Sequence, residues 1–95
     1  MARRIRGATV ESVYSTPHSQ NAWAQLFGGT VVTGTALPVA SPGTWFKIQE
    51  LSPDGVTNTF DILVTAQQGA GTVEVETTDT TTGEKISRVW KPDSI

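Results

Sequence analysis

Along most of this chain, hydrophobic and polar positions alternate. Residues 71–77 show it most cleanly: Val73 and Val75 fall on one face, Glu74 and Glu76 on the other. Residues 59–65 place Phe60, Ile62 and Val64 together, and in residues 45–50 Phe46 and Ile48 oppose Lys47 and Gln49. Residues 9–14, 30–36 and 85–90 are rich in β-branched and aromatic side chains. A period of two over such lengths marks half-buried strands. The expected core is Val13, Val31, Phe46, Ile48, Phe60, Ile62, Val64, Val73, Val75, Ile86 and Val89.

No helical period runs for two turns. The nearest candidate is residues 19–28, where Ser19 is placed to cap, Trp23, Leu26 and Phe27 share a face, and Gly28 is placed to stop it. That predicts one turn of helix or an irregular loop. Turn chemistry separates the strands. Leu37-Pro38 and Ser41-Pro42-Gly43 break the second run from the third, and Ser52-Pro53-Asp54-Gly55 suits a type I turn. Gln68-Gly69-Ala70-Gly71 and Thr82-Gly83-Glu84 supply later reversals, and residues 77–82 read as an exposed hairpin end. Fifteen threonines favour strand over helix. The pattern predicts an all-β fold, a small antiparallel β-sandwich or barrel of about six strands. It forms a single domain over residues 8–95, preceded by an extended basic N-terminal arm, residues 1–7.

Size and composition narrow the options. Ninety-five residues make one core, and a chain this short buries roughly 60–70% of its unfolded surface. The absence of cysteine removes disulfides and thiolate metal sites as staples, and a single histidine removes a multi-histidine site. Association with other subunits is the staple left. The net charge of −2 hides an asymmetry: Arg3, Arg4 and Arg6 are three of seven basic residues, and the remainder carries 4 basic and 9 acidic side chains. A basic arm on an acidic body predicts that Arg3, Arg4 and Arg6 dock on an acidic surface. Nucleic acid is disfavoured as a partner, because phosphate binding relies on clustered cations that the body lacks. No apolar run is long enough to span a bilayer, and no apolar stretch follows the basic start as a secretion signal would require.

The chain offers little for catalysis. His18 is adjacent to Ser19, but adjacency in sequence does not build a dyad. Glu74 and Glu76 share a strand face, a spacing open in principle to acid–base work but far better explained as polar residues on the solvent face of a strand. Asp79 with Glu84, and Asp54 with Asp61, offer oxygen ligands without matching a calcium loop. No phosphate-cradling glycine motif is present. The expectation is therefore no enzyme, no metal and no cofactor. The aromatic residues stand out instead. On a regular strand Trp45 and Phe46 point to opposite faces, so one of them leaves the core. Trp45 is the expected contact residue, with Trp23 and Trp90 as further candidates, because aromatics anchor interfaces and stack on sugar rings.

The short basic start Arg3-Arg4-Ile5-Arg6, the Thr/Gly/Val-rich run from Gly29 to Thr35, the lack of cysteine and the missing catalytic set together resemble small head-decoration and other minor structural proteins of tailed bacteriophages. That resemblance implies a virion subunit, assembled in the host cytoplasm. It implies binding to the major capsid or another virion protein, with homo-oligomers such as trimers that reinforce the shell. The alternative is a carbohydrate- or receptor-binding β-sandwich module, recognisable by a tryptophan exposed on a groove beside polar side chains.

Overall fold

The computed structural model describes residues 2–17, 20–69, 71–78 and 83–90. Among them are strands β1 (Arg4–Ser15), β2 (Ala22–Phe27), β3 (Thr30–Thr33), β4 (Thr44–Ile48), β5 (Thr72–Thr77) and β6 (Lys85–Trp90). A helix, α1 (Pro53–Gln68), lies between β4 and β5. The sheet order is β2-β4-β6-β5-β1-β3, and β1 also pairs with β2, so the sheet closes on itself as a small barrel. All neighbours are antiparallel except β4 and β6, which run parallel.

The long β1 makes closure possible. Its second half pairs with β2, and its first half pairs with β5 on one side and β3 on the other. Between these halves the register slips. Ile5 faces Val75 and Ala8 faces Val73, so β1 carries one extra residue. Gly7 sits in that step at φ +76°, a conformation glycine adopts without a Cβ penalty. Such a bulge bends a strand and tightens its twist, which turns the corner of a barrel. Gly28 and Gly29 turn the chain from β2 into β3 along the same strand. A Cβ on Gly29 would lie 2.7 Å from Ile5 Cγ2 and 2.8 Å from the Arg6 carbonyl oxygen, so only glycine fits.

The interior is filled by inward residues of five strands, Ile5, Ala8 and Val10, then Ala22, Ala24 and Leu26, then Phe46 and Ile48, then Val73 and Val75, then Ile86 and Val89, alternating except where β1 and β6 shift register. Helix α1 touches β1, β2, β4, β5 and β6 and so covers one mouth of the barrel. Its Val56, Leu63 and Ala66 are buried, and Phe60 and Ile62 pack partly against the core. Each large side chain so buried contributes roughly 1.5–3 kcal/mol. Among the described residues no helix is long and apolar enough to cross a membrane.

A mostly β fold with six strands is what the alternation predicts, but two elements exchange character. Residues 59–65 are not a strand; they lie inside α1. Ser52 has extended backbone and its hydroxyl accepts the Gly55 N–H at 3.0 Å, with Pro53 opening the helix and Asp54 in its first turn. The residues read as a type I turn are thus a helix start. Conversely, the turn of helix expected near residues 19–28 gives way to β2, where Ala22, Ala24 and Leu26 point inward and Trp23, Gln25 and Phe27 outward. Two alanines, weakly apolar and strong helix formers, hid that alternation.

Three smaller expectations also change. Arg4, Ile5, Arg6 and Gly7 are not part of an extended arm but the first residues of β1. Val31 is exposed, not core, because β3 overhangs the barrel with all four residues open to solvent. Glu74, expected on a solvated face, is 2% exposed. His18 and residues 79–82 of the expected hairpin end lie outside the described residues.

Candidate ligand-binding face

Strand register assembles the outer surface of the barrel. Tyr14 of β1 lies opposite Trp23 of β2, Trp23 opposite Lys47 of β4, and Lys47 opposite Lys85 of β6. The adjacent row runs from Ser12 to Gln25 to Trp45. Because side chains alternate along each strand, these residues share one face, and Phe46 between Trp45 and Lys47 points into the core. The expectation that Trp45 leaves the core holds: it is 41% exposed, against 1% for Phe46.

The rings are mutually positioned. Tyr14 and Trp23 are parallel to within 1° with centroids 6.1 Å apart, and Tyr14 meets Trp45 edge-on at 5.3 Å and 73°. Offset and edge-to-face pairs of this kind add about 0.5–1.5 kcal/mol beyond burial. The indole N–H of Trp23 donates to Asn21 Oδ1 at 2.9 Å, and Asn21 Nδ2 donates to Thr16 Oγ1 at 2.7 Å. That chain fixes the Trp23 ring from the loop joining β1 and β2. Gln25 Nε2 is held by the Gly43 carbonyl at 3.1 Å. An open groove of about 300 Å³ follows, walled by Trp23, Trp45 and the Lys47 and Lys85 stems, with Gly83 and Glu84 at its end.

The charges at the groove are paired, with two carboxylates set against three cations. Glu50, just beyond β4, accepts Lys47 Nζ at 2.8 Å and Lys85 Nζ at 2.6 Å. Those hydrogen bonds, that of Lys47 foremost, hold its carboxyl down to about 2. At the other end Arg3 grips Glu84 with two bonds of 2.8 Å, and the Thr77 hydroxyl donates to the same carboxylate. Burial pushes the Glu84 carboxyl up, but the bonds from Arg3 and Thr77 outweigh it and it lies below the usual carboxylate range.

The Glu50 clamp has a testable pH signature. Its carboxyl binds a proton less readily in the fold than in the unfolded chain, where it titrates near ~4.3. The clamp therefore stabilises the fold fully above that pH and loses its contribution as pH falls through about 2. In urea unfolding at a series of pH values, Glu50→Gln is expected to be less stable than the parent at neutral pH. The two curves should converge toward the acid end.

The other candidates lie elsewhere. Arg3 also donates to the carbonyls of Thr35 and Ala36, and so ties the chain start to the β3–β4 connection. Arg4 and Arg6 both bind Glu74, at 2.6 and 3.3 Å. Burial raises the Glu74 carboxyl, yet the two guanidinium bonds hold it below the usual range. Trp90 is directly across from Glu74 and lies between the guanidinium groups of Arg4, 4.8 Å from its ring centroid, and Arg88, at 6.0 Å. The three arginines are therefore engaged within the chain, and Trp90 sits on the β5–β6 side, away from the groove. Of the three tryptophans the groove unites Trp23 and Trp45. Tyr14, Lys47 and Lys85 join them only through strand pairing, although Lys47 two residues from Trp45 is a same-face signal visible in the sequence. Among the described residues no cluster of three His, Cys, Asp or Glu side chains is placed to hold a metal ion. Comparison with protein-family models, with curated proteins and with solved structures finds no match.

Proposed function

We propose that this chain is a non-enzymatic recognition module that binds a saccharide on the aromatic face of β1, β2 and β4. The observation that carries this reading is the exposed Trp45, which with Trp23 walls an apolar-sided groove with a polar rim, both rings packing against Tyr14. A sugar ring has a flat C–H face, which an indole covers, and a rim of hydroxyls that both donate and accept. The lysine ammonium groups supply donors, and the Glu50 and Glu84 carboxylates supply acceptors. A single-stranded nucleic acid would stack on the same rings, but its phosphates need uncompensated cations along the groove. Here both lysines share Glu50, and the chain is net negative.

The connectivity supports the placement by analogy. Counting only barrel strands, β1-β2-β4-β6-β5 closes back on β1, with a helix before the fourth strand. That is the arrangement of an OB-fold, whose second and third strands and flanking loops carry oligosaccharides and oligonucleotides. The test is a tryptophan fluorescence titration with a panel of neutral oligosaccharides and with single-stranded oligo-dT at physiological salt. Saturable change with a saccharide and none with oligo-dT is expected; the reverse would overturn the reading.

A second reading keeps the chain as a virion subunit that decorates or stabilises a capsid, with other virion proteins as partners. One observation favours it: the overhanging, uncovered β3, which is suited to assembly.

A further inference from the structure

Arg4, Arg6 and Arg88 gather on the outer face of β1, β5 and β6. Along β1, Arg4 and Arg6 flank the inward Ile5 and so share that face. Arg88 comes from β6, where it and Arg4 both lie opposite Glu76. Beneath them is the buried carboxylate of Glu74, whose two oxygens are divided. Arg4 Nε donates to Oε2 at 2.6 Å and Arg6 Nε to Oε1 at 3.3 Å. Trp90, opposite Glu74 on β6, backs the Arg4 guanidinium at 4.8 Å. One carboxylate thus sets two cations side by side and offsets the charge of one.

Arg4 and Arg6 are each held by Nε alone. Their η nitrogens meet no acceptor among the described residues, and the two side chains are 38% and 63% exposed. Arg88 Nε stands 3.8 Å from Glu76 Oε1, too far for a hydrogen bond. Arg3 is the contrast: it spends Nε and both η nitrogens on Glu84 and two carbonyls. A guanidinium fork fixed in advance loses less freedom on binding, and its geometry matches phosphate oxygens. Thr30, the cross-strand partner of Arg6, is exposed and adds a hydroxyl on the same face. Two adjacent forks set the ligand class. A terminal phosphate presents three oxygens and a charge of about −1.5 to −2. A phosphodiester presents only two free oxygens and a single charge, enough for one fork. We propose that Arg4 and Arg6, flanked by Arg88 and Thr30, form a binding site for a terminal phosphate group, either the free ion or a monoester. The site is separate from the aromatic groove and does not rest on the saccharide reading.

Nuclear magnetic resonance of the full chain tests this. The Trp90 indole and the arginine Nε–H groups are followed while glycerol 2-phosphate is added at constant ionic strength. Saturable shifts are expected at Arg4, Arg6 and Trp90, with a Kd of about 1 mM or tighter from a few charge-assisted bonds. Trp23 and Trp45 should stay in place. Oligo-dT with a 5′ hydroxyl, which carries only diesters, should leave Trp90 unmoved. Inorganic phosphate, titrated alongside, tells the two sources apart. Tighter binding of the ester places the phosphate on an organic ligand, and equal binding makes the free ion the ligand; both support the site. Arg6→Gln is expected to weaken binding at least about tenfold with unchanged circular dichroism, because that side chain is largely solvated. Arg6→Lys, which keeps the charge and loses the fork, should recover only part of the affinity. Shifts that fail to saturate, an Arg6→Gln chain that binds like the parent, or full recovery by Arg6→Lys would overturn the proposal.

Discussion

Trp45→Ala is expected to reduce saccharide affinity by at least about 30-fold, roughly 2 kcal/mol, the scale of an aromatic hot spot. The ring is 41% exposed and covers groove, not core. Its loss should therefore cost the fold only about 1 kcal/mol, the centre of the range for single substitutions. Trp45→Phe keeps an aromatic face and should retain a substantial part of the binding. Isothermal titration with the best saccharide from the panel, beside urea unfolding of the same variants, separates the two effects. An affinity loss that merely tracked lost stability would remove Trp45 from the site.

Phe46→Ala, one residue along, is expected to behave in the opposite way. The Phe46 ring is 1% exposed inside the barrel, with the Arg3 guanidinium 5.5 Å from its centroid. Truncating a buried phenylalanine costs about 3–5 kcal/mol through lost transfer energy and the cavity left behind. A chain of this length has about 5–14 kcal/mol in all, so roughly a fifth or more of its stability should go. The urea midpoint should fall sharply with little change in the slope of the transition. A loss under about 1 kcal/mol would mean that the strand register placing Phe46 inward is wrong. Neighbouring residues on β4 thus give separate readouts, binding for one face and folding for the other.

Much of this division was legible in the sequence, and the parts that were not share a cause. Strict alternation marked Phe46 and Ile48, Val73 and Val75, and the tryptophan–phenylalanine neighbours forced one ring outward. The period-two reading failed at residues 59–65 because Phe60, Ile62 and Val64 also fit a strand. The helical set Val56, Leu63 and Ala66 is diluted by β-branched residues that favour strands. What favours helix is local: the Ser52 cap and Pro53 in the first turn. Glu74, Arg4 and Arg6 escape the sequence reading for a different reason. These partners are about seventy residues apart in sequence, and only the pairing of β1 with β5 brings them together. The same holds for the site. Trp23 and Trp45 stand out in the sequence as isolated aromatics, but Tyr14, Lys47, Lys85 and Glu50 join them in one surface only through strand register and the parallel β4–β6 contact.

The most direct test of the saccharide-binding face follows the three indole N–H resonances by nuclear magnetic resonance while the saccharide is added. Trp23 and Trp45 line the groove, whereas Trp90 is at the other end of β6 from Lys85, outside the groove lining and close to Arg4 and Arg88, so it serves as an internal reference. The account predicts saturable shifts at Trp23 and Trp45 with Trp90 unmoved. Shifts confined to Trp90, or none with any saccharide, would contradict it.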